Sequence, residues 1–260
     1  MAGEVELVAL RPLRHAASTG RVTEGAQGGG PIGAASITCI IPAFENPALF
    51  GPCLASVVAQ REVALEVIVT DDSAGGAVRE ITAAHPKVRY LAGPRSGNPV
   101  ENWNHGLALA SGELCALVHH DETLADPTYL ARAAAALTDP RVAAAIGPVA
   151  VTGVRRPSRH RHAVKIARAL GHPAWLLPMI NWVGPTASFV FRRGPMFDAR
   201  LRQLVDVEFY RRVAKGGRLA ILEGVCVASL GHHDAQISAT IDPRAESLRD
   251  VATWAKGGAR

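Results

Sequence analysis

The feature that most constrains the fold is a series of short runs in which hydrophobicity is continuous rather than alternating. The first is Ile37-Thr38-Cys39-Ile40-Ile41, closed by Pro42. Val67-Ile68-Val69-Thr70 leads into Asp71-Asp72-Ser73, and Val88-Arg89-Tyr90-Leu91 follows. The fourth, Leu114-Cys115-Ala116-Leu117-Val118, runs into His119-His120-Asp121-Glu122. A strand with one wet face alternates with period two. A strand apolar at successive positions must be covered on both faces, as in a parallel sheet. Between the runs, residues 49–60, 78–84, 98–110 and 129–137 read as helices. This alternation predicts an α/β chain with a Rossmann-like, mostly parallel sheet flanked by helices.

The later half is less regular. Residues 142–146, 187–191 and 219–222 are strand-like, and 205–215 reads as a helix stopped by Gly216-Gly217. Residues 243–255 predict a helix packed on the outside. Residues 1–35, with Gly28-Gly29-Gly30, read as a flexible glycine-rich tail, with a short strand at 5–10 as the one element in it.

Composition excludes some classes. The chain is 48% hydrophobic, too apolar for a disordered segment. Its net charge of +5 suits phosphate-bearing ligands or an anionic surface without singling out nucleic acid. Cys39, Cys53, Cys115 and Cys226 form no C-x-x-C pair and read as buried free thiols of a reducing compartment, not zinc ligands. Glu4 and Glu6 stand where a secretory leader would be cationic. The longest uncharged run, 169–191, is broken by Gly171, Pro173, Pro178, Gly184 and Pro185 and makes a poor spanning helix. The expectation is a cytoplasmic protein.

In open parallel sheets, ligands bind beyond the carboxyl ends of the strands. Three of these ends carry polar or turn residues: Pro42-Ala43-Phe44-Glu45, Asp71-Asp72 and His119-His120-Asp121-Glu122. They should meet on one edge. No G-x-x-x-x-G-K-[ST] motif occurs, and the one G-x-G-x-x-G match, Gly28 to Gly33, precedes the first strand instead of following one, which weighs against P-loop NTPases and dinucleotide enzymes. A nucleotidyltransferase would bring a glycine-rich basic signature near the first strand, and none is seen.

The order strand-Pro-x-aromatic, strand-Asp-Asp-Ser, Asn-x-Gly helix and strand-x-x-Asp-acid resembles the family 2 glycosyltransferases of GT-A fold. Asn102-Trp103-Asn104-His105-Gly106, Ala110-Ser111-Gly112-Glu113 and His119-His120-Asp121-Glu122 are similar to a bacterial subgroup with "NWN…A-x-G-E…HQDD". The resemblance spans about residues 36 to 240. It implies a nucleotide-sugar-binding subdomain at 36–150 and a smaller acceptor-binding lobe at 151–260 carrying the catalytic base.

What the resemblance implies can be assigned residue by residue. Asp71 and Asp72 would read the nucleobase, usually uracil, with Phe44 stacked on it, although Asp-Asp-Ser-Ala-Gly-Gly is also good turn chemistry. Pro42, Ala43, Glu45, Asn104 and His120 would complete the nucleotide site. Asp121 matches the second acid of the usual Asp-x-Asp and would hold Mn²⁺ or Mg²⁺ against the diphosphate, while His119 replaces the first. His233, in a segment similar to "Y-R-x-H-x-x-Q-x-S", would meet the metal or diphosphate, and Gly231 stands where the family has Arg. Asp206 aligns with the catalytic aspartate that deprotonates the acceptor hydroxyl in an inverting transfer; Val205 replaces the usual preceding Glu. Trp182 and Gly184, in an "N-x-x-G-x-P-S"-like segment, would line the sugar and acceptor side, although Trp182 reads equally as a core residue.

The implied function is transfer of a sugar from a nucleoside diphosphate donor, UDP by family habit, to a hydroxyl of a saccharide or lipid-linked acceptor. The departures at His119, Val205 and Gly231 motivate an alternative: a nucleotide-sugar-binding protein that has lost catalysis. No acid occurs from Arg141 to Phe197, and Arg155, Arg156, Arg159, Arg161, Lys165 and Arg168 crowd part of that stretch. With Trp175-Leu176-Leu177 following, residues 155–180 suit a phosphate-bearing acceptor or peripheral contact with anionic lipid. An ordinary solvated basic face reads as well. No base-stacking module accompanies the charge, so nucleic acid is not expected.

Overall fold

The computed structural model describes residues 35–152, 180–230 and 242–257, with 162, 165–167, 169–171 and 174–177 from the intervening stretch. The expected tail, the strand at 5–10, His233 and most of the basic cluster lie outside the described residues.

Strands β1 (Ile37–Ala43), β2 (Leu65–Asp71), β3 (Val88–Ala92) and β4 (Leu114–Leu117) alternate with helices α1 (Pro47–Val58), α2 (Ala77–Ala83) and α3 (Pro99–Ala108). β5 (Glu122–Leu124), α4 (Tyr129–Ala136), β6 (Val142–Ile146) and β7 (Val149–Thr152) follow. Next come β8 (Phe189–Arg192), α5 (Val205–Ala214), β9 (Arg218–Ile221), β10 (Val227–Leu230) and α6 (Pro243–Gly257). The main sheet has the order β3-β2-β1-β4-β8-β6-β9, and only β8 runs against its neighbours. A small second sheet, β5-β10-β7, was not anticipated from sequence.

Every residue of β1 and β4 is buried. Ile37, Cys39 and Ile41 face one core with Phe50, Leu54 and Tyr129, whereas Ile40, Cys115 and Leu117 face the other with Val100, Leu107 and Phe209. The continuous hydrophobicity thus reflects a sheet covered on both sides, each fully buried large side chain contributing about 1.5–3 kcal/mol. All four cysteines are buried and free. Burial pushes the Cys115 thiol up to about 12 and the Cys226 thiol to about 11, so neither is a ready thiolate ligand or nucleophile.

Pro42 does not end β1 as expected. It pairs with Thr70 and the strand runs on to Ala43. The Ile40 carbonyl accepts from Val118 on the β4 flank, so by alternation Pro42 faces that flank too. The β1–β4 pairing ends at Ile40–Leu117, so the missing N–H costs no ladder bond.

Helix α5 is pressed onto the sheet by aromatic rings: Phe209 stacks on Phe197 at 3.9 Å and meets Phe191 edge-on at 4.8 Å. Its entry is held from a distance. Asp250 of α6 is fully buried, and its carboxylate accepts from the backbone N–H groups of Arg202, Gln203 and Leu204 at 2.7–3.1 Å. Helix α6 packs on the outside, as expected, with most of its described residues exposed, and its one buried acid is built into the approach to α5.

Candidate active site

The carboxyl ends of β1, β2 and β4 open on one cleft of about 1200 Å³. Its first wall is built by the β1 and β2 ends. Pro42, Ala43, Phe44, Glu45 and Asp72 line it, as expected. Phe44 is 62% exposed, an apolar ring left largely uncovered among the described residues. Beside it lies a recess of about 230 Å³ formed with Asp72, Ala74, Arg95 and Gly97. Glu45 and Asn46 both adopt left-handed backbone at φ 51° and 50°, and Arg95 does so at 53°. Such strain in non-glycine residues concentrates at functional edges. The turn at 45–46 is tied to the β2 end: Glu45 N–H donates to Ser73 Oγ at 2.7 Å, and Glu45 Oε1 accepts from Ala74 N–H at 2.9 Å.

The two aspartates separate in role. Asp72 lines the cleft and accepts from the Arg95 backbone at 2.9 Å. Asp71 is 2% exposed and does not line it. Its Oδ1 accepts from Ser73 N–H at 2.9 Å and its Oδ2 from the Tyr90 hydroxyl at 2.8 Å, which is the turn chemistry its neighbours allowed. Gly93, which sequence reasoning passed over, gives Asp72 its room: a Cβ there would collide with the Asp72 carboxylate and stand 2.7 Å from Asn102 Oδ1.

Asn104 also differs from expectation. Its amide donates to the Phe197 carbonyl and accepts from the Phe197 N–H, both at 2.9 Å, so it clamps α3 to the 197 loop and is not among the cleft residues. The asparagine at the cleft is Asn102, one helical face away, which donates to the Thr70 carbonyl at 3.0 Å.

His119, His120, Asp121 and Glu122 all line the cleft beyond β4. His119 lies 4.7 Å from the Trp103 ring, and its Nδ1 is 3.1 Å from Thr186 Oγ1. Its Nε2 is buried without a hydrogen-bond partner among the described residues. Burial opposes protonation of this imidazole, but the carboxylates of Glu122, Asp121 and Asp206 outweigh it and hold the pKa above the ordinary value. Glu122 is 3% exposed and braces the loop by accepting from the N–H groups of His119 at 2.9 Å and Ala187 at 3.2 Å. Ligand atoms of His119, Asp121 and Glu122 lie within 4.8 Å of one another. The Asp121 carbonyl accepts from Leu230, the last residue of β10, which pins the loop to the second sheet.

Asp206 lies on the other wall, in the first turn of α5, half-buried at the cleft. Burial raises its pKa to about 6, against the lowering pull of the Val207 N–H and nearby His119. Its Oδ2 accepts from Asn181 Nδ2 at 2.8 Å and its Oδ1 from Val207 N–H at 2.8 Å. Asn181 is fixed in turn by Gly184, whose N–H donates to Asn181 Oδ1 at 2.9 Å. Gly184 has φ 97°, a conformation open to glycine. It acts through Asn181 and is not a wall of the cleft. Trp182 is 2% exposed within the second core and is not a wall either; Pro185 and Thr186 line the cleft where that segment meets it. Glu208 is turned away and pairs with Arg212 at 2.8 Å.

The sequence model of the family described as glycosyl transferase family 2 matches residues 38–197. The chain belongs to glycosyl transferase family 2. An uncharacterized Mycobacterium tuberculosis protein, MT1568, is 32% identical over 197 residues, covering 68% of this chain and 61% of its own. The succinoglycan biosynthesis protein ExoO of Rhizobium meliloti is 30% identical over 90 residues, 34% of this chain and 26% of its own. The chain thus spans less than two thirds of the length of either relative.

Solved structures place this family 2 chain in the GT-A fold. The mannosyltransferase PcManGT of Pyrobaculum calidifontis, solved with GDP-Man and Mn²⁺, superposes with a TM-score of 0.66 at 22% identity over 88% of this chain and 66% of its own. TarS of S. aureus with UDP-GlcNAc gives 0.64 at 18% over 84% and 66%. Glucosyl-3-phosphoglycerate synthase of Mycobacterium tuberculosis with Mn²⁺ and UDP-Glc gives 0.56 at 16% over 85% and 78%. At such identities the likeness concerns the fold alone.

Proposed function

We propose that this chain is an inverting glycosyltransferase that moves a sugar from a nucleoside diphosphate donor, UDP-linked by preference, to an acceptor hydroxyl. The observation that carries this reading is one cleft with two chemically different walls. One has an exposed ring and a strand-end carboxylate, Phe44 and Asp72, and the other has the desolvated carboxylate of Asp206. The nucleobase stacks on Phe44 and meets Asp72. His120 and Asp121 lie along the diphosphate, and Glu45, Pro42 and Ala43 shape the floor. Residues 36–150 serve the donor, and residues 151–260 the acceptor and the base.

Asp206 acts on the acceptor. Its carboxylate takes the hydroxyl proton as that oxygen bonds to the anomeric carbon, the bond from carbon to the diphosphate oxygen breaks, and the electron pair leaves with the nucleotide. Attack opposite the leaving group inverts the centre. Asn181 keeps the carboxylate aimed. The relatives of solved structure that hold Mn²⁺ support a divalent ion here, and the residues fit one: Asp121 offers oxygen, and His119 presents a buried nitrogen that no described residue hydrogen-bonds. Imidazole suits Mn²⁺ better than Mg²⁺. Such an ion would neutralise charge on the departing diphosphate.

Donor recognition is tested by calorimetry with UDP and GDP, with and without Mn²⁺, and by transfer or hydrolysis across a panel of nucleotide sugars. Absence of both nucleotide binding and turnover would end this reading. Gly93→Ala should displace the Asp72 carboxylate and press on the buried Asn102 amide beside it, weakening nucleotide affinity by about tenfold through loss of one charge-assisted contact, with native circular dichroism as the check that the fold is kept. Unchanged affinity would remove Asp72 from the base site.

Among the described residues no helix is long and apolar enough to cross a membrane. Ile166, Leu170 and Trp175 are 46%, 53% and 63% exposed, and Lys165 is exposed beside them. These residues support peripheral contact of the 155–180 stretch with an anionic lipid surface, and with it a lipid-linked saccharide as acceptor.

A further inference from the structure

The wall that carries Asp206 has a second chemical character that transfer to a plain hydroxyl does not require. Arg200 and Arg202, on the loop entering α5, line the cleft, and so does Arg249 of α6. The acids that pair with them do not: Asp198 takes Arg200 at 2.7 Å, and Glu246 takes Arg249 at 3.1 Å and Arg202 at 4.0 Å. One carboxylate, Glu246, therefore serves two guanidinium groups, and it is not among the residues that line the cleft. The juxtaposition is fixed by the buried Asp250. A buried carboxylate is costly unless its lone pairs are met, and here three backbone donors of residues 202–204 meet them. That dock sets Arg249, the residue before Asp250, beside Arg202, the first residue it binds.

We infer that the acceptor carries an anionic group, a phosphate ester, bound by Arg202 and Arg249 beside the hydroxyl that Asp206 deprotonates. This rests on the transferase reading above and names its acceptor class. A guanidinium presents a planar fork that matches phosphate oxygens and holds them in two directions. The donor diphosphate does not fill this place, because in that reading it lies along His120 and Asp121, on the loop beyond β4. The phosphate comes either from a soluble phosphorylated saccharide or from a membrane lipid.

The test uses the full chain with saturating UDP and Mg²⁺. Glycerol 3-phosphate, glycerol, and phosphatidylcholine vesicles with and without phosphatidylglycerol are the probes, read by calorimetry and co-sedimentation. The variant is R202Q/R249Q, checked for native circular dichroism. Glycerol 3-phosphate should bind and glycerol should not, and the double variant should lose about tenfold or more in that affinity while UDP affinity holds. Vesicle binding that requires phosphatidylglycerol and is lost in the variant assigns the phosphate to lipid; vesicle binding that the variant keeps, alongside loss of glycerol 3-phosphate, assigns it to a soluble acceptor. Displacement of glycerol 3-phosphate by UDP, or binding of both probes that ignores the substitutions, overturns the inference. If UDP does not bind, the donor reading has failed separately, and glycerol 3-phosphate titrated into the chain alone still tests the arginine pair.

Discussion

Asp206→Asn is expected to lower transfer by about 10²–10⁴-fold, the usual worth of a positioned general base, while nucleotide affinity stays as it was. The pH dependence of the unsubstituted chain carries the same signature. Burial raises the Asp206 carboxyl to about 6, and only its ionised form accepts a proton. The rate should be flat above that value and fall about tenfold per pH unit below it. Stability moves the other way. A carboxyl whose pKa is raised by folding contributes most below its unfolded value, and the contribution is lost as pH rises through about 6. At neutral pH the ionised, half-buried Asp206 is a net cost, so Asp206→Asn should show a thermal midpoint no lower than the parent. The gain is partial, since an amide cannot accept from both Asn181 and Val207 with its nitrogen end. Rates measured from pH 5 to 8 alongside scanning calorimetry check both halves. Turnover that survives the substitution within a few-fold would remove Asp206 as base. Absent turnover in the unsubstituted chain, with nucleotide still bound, would favour a binding protein that has lost catalysis.

Asp121→Ala is the second large expected effect. With its carboxylate gone, the ligand-capable groups left in this cluster among the described residues are His119 and Glu122, and Glu122 Oε2 already accepts two backbone N–H groups. Mn²⁺ should tighten UDP binding to the parent chain and no longer do so in the variant. Turnover should drop by about 10²–10³-fold, the cost of losing one preorganised charge-stabilising contact in a transition state. Chelation of the parent should reproduce the loss, and added Mn²⁺ should restore it. Nucleotide binding that ignores metal in both proteins would place the diphosphate elsewhere.

The readable parts of the site were those fixed by strand ends. Continuous apolar runs demand burial on both faces, a parallel sheet puts their carboxyl ends on one edge, and Phe44, Asp72, His120 and Asp121 follow from that geometry. Asp206 was legible through the resemblance of its segment, and its place on the cleft agrees. The expected residues that do not line the cleft share a cause. Asp71, Asn104, Trp182 and Gly184 sit one or two positions from residues that line the cleft, and a motif does not say which neighbour a side chain turns toward. Asp71 turned to Tyr90 from β3, and Asn104 to Phe197, 93 residues away in sequence. Neither partner was marked by spacing.

Helix α6 shows the same limit on a larger scale. Its sequence predicted a helix but offered no sign of what it would touch, because Asp250 is an ordinary acid until three N–H groups from residues 202–204 surround it. The sequence by itself determined the fold class, the edge on which chemistry gathers and the kinds of group found there, since these depend on local periodicity and on where apolar runs stop. The tertiary structure alone decided which of two adjacent aspartates faces the cleft, how far desolvation lifts Asp206, and that α6 brings Arg249 to the site. Those outcomes depend on distant backbone donors and on exclusion of water, and both arise only when segments far apart in sequence are packed together.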